Sequence, residues 1–337
     1  MILIAGLIFC FASSFAQKKN YRIGIIGFYN LENFYDTINQ KFVDDEEFLP
    51  ESPRHYNTEV YLDKINRLAE VLSKIGTDVS PDGLSVFGVA EIENESVLHD
   101  LIHHPLLQSR NYKIVHYDSP DARGIDVGLI YNPKYFTVLS SKPLNVPTKH
   151  RTRDVLWVSG IYLGDTIHLF VNHWPSRRGG EEASAPWRAT AASVPKKIID
   201  SLTKINPDIK YIVMGDLNDD PISPSVTKVL GAEGEMKRVK KTGMFNPWTS
   251  FYKKGIGTLA FNDAWNLFDQ IIISHSFLSQ KQSGWFYRSA HIFKREFMVQ
   301  QTGRFRGYPM RTWDGNKYNR GYSDHFPTYI EFLQEVR

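Results

Sequence analysis

Four apolar runs in this chain stop abruptly at polar residues. Residues 21–29 lead into Asn30-Leu31-Glu32-Asn33, 84–90 into Glu91-Ile92-Glu93-Asn94, 166–172 into His173-Trp174-Pro175-Ser176, and 211–214 into Gly215-Asp216-Leu217-Asn218. Two further runs, 269–274 and 326–332, begin beside theirs: Asp269 itself, and Ser323-Asp324-His325. Short β-branched runs bounded by turn formers read as buried strands. Six such tips reach one edge only if the last two strands run antiparallel to the first four. The pattern therefore predicts mixed sheets that share a single polar site.

The intervening segments supply layers to cover those sheets. After Thr58, the residues Tyr61, Ile65, Leu68, Leu72 and Ile75 recur at helical spacing, and Gly76 is the expected C′ residue. A shorter helix is expected to about Leu101, halted before Pro105. Residues 112–117 and 125–131 read as paired strands, and 155–163 with 166–172 as a hairpin around Gly164-Asp165. A helix is expected from Ser184, with Pro186 at its first position and a kink at Pro195, to about Leu202. Ser223-Pro224 is expected to cap another short helix, and 231–266 to be loop and short strand. With neither repeat nor linker, residues 17–337 are expected to form one α/β (α+β) domain. A 42% hydrophobic composition over 337 residues is ample for its core.

Residues 1–12 are uncharged and largely apolar, and Ser13-Ser14-Phe15-Ala16 follows before Gln17-Lys18-Lys19. That layout reads as a signal peptide over 1–16, so the chain is expected to be exported to the periplasm or beyond. Phe9 is bulky where a lipidation site wants a small residue before Cys10, which favours simple export over a lipoprotein. Cys10 is the only cysteine, so the mature chain would carry no disulfide. No later run approaches the length of a membrane span.

Charge is unevenly placed. Residues 286–322 hold eight Lys and Arg against Glu296 and Asp314, a net +6 within a chain of net +3. Phe293, Phe305, Tyr308, Trp313 and Tyr322 are interleaved with them, a mixture suited to phosphates and stacked bases, or to a solvated face over aromatic packing. The acidic stretch Asp44-Asp45-Glu46-Glu47 lacks the spacing of a calcium loop and reads as a solvated run.

Asp216 and Asn218 at one strand tip suit hydrolysis, because a carboxylate can accept a proton while a carboxamide donates to a developing oxyanion. Asx residues also simply build turns. The six clusters together, Asn30-x-Glu32, Ala90-Glu91, His173-x-Pro175-Ser176, Gly215-Asp216-x-Asn218, Asp269-Gln270 and Ser323-Asp324-His325, resemble the endonuclease/exonuclease/phosphatase superfamily in kind and order. Gly-Asp-x-Asn with Ser-Asp-His is its most diagnostic pair.

The resemblance implies a four-layer sandwich of two mixed β-sheets flanked by helices, and a metal-dependent phosphoesterase. It implies Glu91 as principal metal ligand, with Glu32 and Asp324 contributing; hard oxygens suit Mg²⁺, Mn²⁺ or Ca²⁺. Asp216 would orient or deprotonate the attacking water, Asn218 and Asn30 would hold phosphate oxygens, and His325, steered by Asp269, would stabilise the phosphorane. His173 would contact phosphate or the leaving group, with Ser176 beside it as a substrate contact. Glu32 stands where several nuclease branches have Asp. Arg123, Arg177 and Arg178 lie in loops next to motif-bearing strands, where a guanidinium could take phosphate bidentately or serve as an ordinary surface charge.

Three functions fit this pattern. The first is an exported nuclease-type phosphodiesterase acting on nucleic acid. The second is a phosphomonoesterase or sphingomyelinase-like phospholipid phosphodiesterase, which would want an exposed apolar hairpin for which only Trp248, Phe251 and Tyr252 are candidates. The third is a silent polyanion-binding module, which the intact set of Glu91, Asp216, Asn218, Asp324 and His325 argues against.

Overall fold

A computed structural model describes residues 19–261, 263–279 and 284–336. The expected leader and Cys10 lie outside the described residues. In chain order the elements begin with β1 (Asn20–Phe34), α1 (Thr58–Lys74), β2 (Val86–Ile92), α2 (Glu95–Ile102), β3 (Lys113–His116) and β4 (Asp126–Tyr131). Next come β5 (Phe136–Leu144), β6 (Val155–Tyr162), β7 (Asp165–His173), α3 (Glu181–Ile205), β8 (Lys210–Asp216), β9 (Ala232–Glu233), β10 (Met244–Phe245) and α4 (Trp248–Tyr252). The last are β11 (Leu259–Phe261), β12 (Ala264–Asn266), β13 (Asp269–Ser274), β14 (Phe286–Ile292), β15 (Trp313–Asp314), β16 (Lys317–Tyr318) and β17 (Thr328–Val336).

Two mixed sheets carry the fold. One has the order β14-β17-β1-β2-β4-β3 and the other β5-β6-β7-β8-β13-β10-β9. β1 and β2 are parallel, as are β7 and β8, while β17 runs antiparallel to β1 and β13 antiparallel to β8. This is the arrangement the polar tips require. Residues on alternate faces divide accordingly: Ile26 and Phe28 meet Leu169, Val171, Ile212 and Met214 between the sheets. On the outer faces, Ile25 and Tyr29 pack under Leu68 and Leu72 of α1, and Tyr211 and Val213 under Ala191, Ala192 and Ile199 of α3. The result is four layers, helix, sheet, sheet, helix.

Local signals set the ends of α1 and α2, where Asn57 and Asn94 cap the first turns through Val60 N–H and Val97 N–H. Gly76 follows α1 at φ 72°. Three expectations change. α3 begins at Glu181, and Pro186 and Pro195 both lie inside its 25 residues. Its first turn is fixed instead by side chains, with Ser184 Oγ donating to Gly180 O and Arg188 to Glu181 O. Residues 225–230 form a π-helical turn without a side-chain cap at its start. β5 is an additional strand, at a sheet edge where its Pro143 is tolerated. Among the described residues no helix is long and apolar enough to cross a membrane.

Candidate active site

The edge where the polar tips meet is shaped by strand irregularities. The β1–β2 register slips after Asn30–Ala90, and β2 slips again against β4 around Glu91. Such bulges re-aim side chains beside a site. Glu32, Asn33, Glu91 and Asn218 all hold left-handed conformations, with φ of 51°, 49°, 59° and 48°, at roughly 1–2 kcal/mol each for an L-residue. Hydrogen bonds hold them there. Glu32 N–H donates to Asn30 Oδ1, Asn33 N–H to Glu91 Oε2 and Asn218 N–H to Asp216 Oδ1, each at 2.9 Å.

Asn30 stands at the centre. Its carboxamide donates to Glu91 Oε1 at 3.3 Å and to Asp216 Oδ2 at 3.1 Å. Both N–H bonds are thereby spent on carboxylates. Ser323 Oγ donates to Asn30 O at 2.7 Å and accepts from His325 N–H at 3.1 Å, which sets His325 against the first sheet's tip. From there His325 reaches across to the second sheet, where its Nδ1 lies 2.7 Å from Asp269 Oδ2. Its Nε2 lies 3.9 Å from Asp216 and 3.8 Å from Asp324. His173 Nε2 completes the circle at 3.8 Å from Glu91 and 3.7 Å from Asp216.

The two histidines occupy opposite electrostatic settings. Burial, with Arg153 and Arg123 nearby, holds His173 well below the usual range and therefore neutral. Burial also works against charge on His325, but Asp269, Asp216 and Asp324 outweigh it and raise that imidazole well above its ordinary value. Asp216 is pushed up to about 7, chiefly by burial, with Asp269 and Glu91 adding to it against His325.

Glu32 is likewise pushed up to about 7 by burial and then by Asp324. Its Oε2 accepts from Thr312 N–H at 2.7 Å. The buried Lys64 opposes that rise and lies beneath, donating to Thr312 Oγ1 at 2.6 Å and Tyr322 O at 2.9 Å. Arg311 spans the outer side, 3.2 Å from Asp324 and 3.9 Å from Glu32.

A family model described as the endonuclease/exonuclease/phosphatase family matches residues 25–334. The chain belongs to this family. It is accordingly a phosphoric ester hydrolase, in a family that depends on divalent metal. Solved structures share the fold at low identity. A humanized D. rerio TDP2 is 15% identical, covering 92% of this chain and 98% of its own, at a TM-score of 0.57. A Bacteroides thetaiotaomicron mannosyl-6-phosphatase is 15% identical over 92% and 99%, at 0.55. D. rerio TDP2 complexed with a single-strand DNA product is 13% identical over 92% and 98%, at 0.55. No curated protein matches the sequence.

The family's requirement for a cation fits these side chains. Glu91 and Asp216 share the Asn30 carboxamide and Glu32 lies in the field of Asp324, hard oxygen donors of the kind a divalent cation takes, with Lys64, Arg311, Arg123 and Arg153 as fixed cations nearby. Asp216, Asp269 and His325 also bring one ligand atom each within 4.8 Å of one another.

Of the expected substrate contacts, Arg123 flanks the site with its Nε 3.4 Å from Asp121, and Ser176 is exposed in the loop after β7. Arg177 turns away from that expectation. Its guanidinium is spent on Asn218 O, Asp220, Asp219 and Glu181, and lies over the Phe268 ring at 4.6 Å. It staples the loop that presents Asn218. Lys64, Thr312, Arg311 and Arg153 were not singled out by the sequence pattern. Lys64 alone carries a signal, a lysine one turn after Tyr61 in the buried stripe of an amphipathic helix.

Proposed function

We propose that this hydrolase is an exported, divalent-metal phosphodiesterase of nuclease type. The observation that carries this reading is the exposed cationic rim joined to the site through Arg311. Arg304, Arg306, Lys317 and Arg320 are exposed on the same segment, and Arg311 bonds Asp324 directly. Such a rim suits a polyanion longer than one phosphate. The run of residues ending at Ala16 supports export. Trp248 speaks against a lipid-binding hairpin, since its ring is buried and its indole N–H donates to Ile271 O at 3.0 Å.

In this reading Glu91, Glu32 and Asp324 hold the cation. Mg²⁺ suits such donors, and when bound it draws in phosphate oxygens and offsets their charge. Asp216, with one oxygen fixed by Asn218 N–H and the other by Asn30, orients water and accepts its proton near neutral pH. Asn30 acts as a positioning residue, because it has no N–H left for phosphate. Asn218 spends one N–H on Trp174 O at 3.0 Å and keeps the second for a phosphate oxygen. Charged His325 stabilises the phosphorane, and neutral His173 donates or accepts at the leaving group.

Plasmid, single-stranded DNA and RNA, each incubated with Mg²⁺, Mn²⁺ or Ca²⁺ and with an EDTA control, test the proposal. Absence of nucleic-acid cleavage at every salt concentration overturns it. A sugar phosphate belongs in the same panel, because the mannosyl-6-phosphatase shares the fold and Arg123 beside the site could take a terminal phosphate.

A further inference from the structure

Next to Asp324 the surface opens into a groove of about 510 Å³, within the range of small-ligand sites. Phe261, Arg304, Phe305, Arg311 and Lys317 are among its walls. Phe261 is 68% exposed and Phe305 43%, although the neighbouring Phe293, Trp313 and Tyr322 are buried. Two exposed phenyl rings in one groove need a reason, because large apolar side chains are ordinarily covered.

The charges of the groove are already matched. Arg304 pairs with Asp263 at 3.7 Å, Arg311 with Asp324 at 3.2 Å, and Lys317 faces Asp314 across the β15–β16 ladder. Inside the groove these pairs offset one another, while the segment 286–322 around it keeps its net +6 toward a phosphate backbone. Aromatic faces rimmed by such pairs, with Gln300 and Asn319 also in the lining, suit a flat, uncharged ring with polar edges.

The groove is also rigidly tied to the reacting edge. Phe305 meets Tyr308 at 6.0 Å, Tyr308 meets Trp265 at 5.4 Å, and Trp265 stacks on Phe326 at 6.3 Å, next to His325. Phe326 N–H donates to Thr258 O at 2.8 Å, which fixes the base of the β11–β12 hairpin that carries Phe261.

We propose that this groove is a base-stacking subsite, in which Phe261 and Phe305 hold the unpaired nucleobase flanking the scissile phosphate. The inference rests on the nucleic-acid reading above and adds that the substrate is single-stranded at that position. A paired base could not leave its stack to enter without added cost.

The test uses the full chain with Mg²⁺ and two single-stranded oligonucleotides, one normal and one abasic at the flanking nucleotide. Wild type should cleave the abasic strand with a KM raised roughly ten-fold. Phe261→Ala/Phe305→Ala should raise KM for the normal strand by a similar factor, and should add little to the abasic penalty. Phe261→Leu/Phe305→Leu, which keeps apolar volume without a π face, separates stacking from hydrophobic contact and should resemble the alanine variant. Equal cleavage of normal and abasic strands by wild type overturns the subsite while leaving the nuclease reading intact. Additive penalties in the double comparison overturn it too. Cleavage of a sugar phosphate with no cleavage of either strand removes both proposals together.

Discussion

Asp216 and Asp269 face each other in register across the β8–β13 ladder, two carboxylates at the tips of adjacent antiparallel strands. Their settings divide them. Asp269 is wholly buried and takes up His325, while Asp216 is bound by two amides and left within 4 Å of both histidines. Neighbouring acids given different partners serve different roles, which is how one edge can hold both a base and a charged imidazole.

Asp269→Asn should lower kcat by roughly 10²- to 10⁴-fold with little change in KM, since the imidazole loses both its orientation and its charge. Asp269 raises the His325 pKa, so its loss lowers that value. The alkaline limb of the pH–kcat profile should therefore move to lower pH. An unmoved limb would show that another group sets it.

Lys64→Met removes the single buried cation beneath Glu32 while leaving the carboxylate in place. The ammonium's hydrogen bonds to Thr312 Oγ1 and Tyr322 O are lost with it, as is the charge that offsets Glu32, at about 3 kcal/mol or more, and urea unfolding should register a loss of that size. Limited proteolysis should then find cleavage in 312–322, the segment Lys64 ties down. Glu32→Gln in the same background should recover part of the stability. Full additivity of the two would argue against any electrostatic coupling between Lys64 and Glu32.

Glu93 gives a pH signature in stability. Burial, reinforced by Asp36, Asp45 and Asp126 against the Asp36 N–H, pushes its carboxyl up to about 8 from an ordinary 4.5. A folded value above the unfolded one means that the protonated form favours folding. The contribution is complete below about 4.5 and is lost as pH rises through 8. Between pH 6 and 9 the Tm of the wild type should fall, and that of Glu93→Gln should fall less.

Chelation should abolish hydrolysis, and added Mg²⁺ should raise Tm in proportion to its binding. Glu91→Gln should raise the metal concentration needed for half-maximal rate by roughly 10- to 100-fold. A rate indifferent to EDTA would remove Glu91, Glu32 and Asp324 from the role assigned to them.

Gly215→Ala places a Cβ 2.1 Å from Asn172 O, at a backbone φ of 154°. The clash is with backbone, so β7 and β8 must separate. A loss of about 3 kcal/mol or more is expected in denaturant titration, with reduced activity because Asp216 moves with its strand.

Much of this was legible along the chain. Apolar runs closed by polar tips gave the strands, their relative directions and the residues of the acidic edge, because burial on both faces leaves a continuous apolar run that ends where chemistry begins. Helix starts were legible at α1 and not at α3. There Pro186 resembles a first-turn proline, but Ser184 and Arg188 close the turn further upstream through contacts that no local pattern encodes. Lys64, and the contact of Arg311 with the acidic edge, escaped for the same reason. Each acts on Glu32 from more than 30 residues away in sequence, and only folding brings them together.

The first sheet contributes Asn30, Glu32, Glu91 and His325, and the second contributes His173, Asp216 and Asp269. The reacting centre is thus a seam, and its alignment depends on how two rigid slabs sit on each other. Gly88 is one place where they press together, since an added carbon there would meet Met214 Sδ and Val171 Cγ1 at 2.9 Å. Substitutions in that apolar interlayer can slide one half of the machinery past the other, so the turnover of this enzyme is open to tuning from sites that no substrate ever reaches.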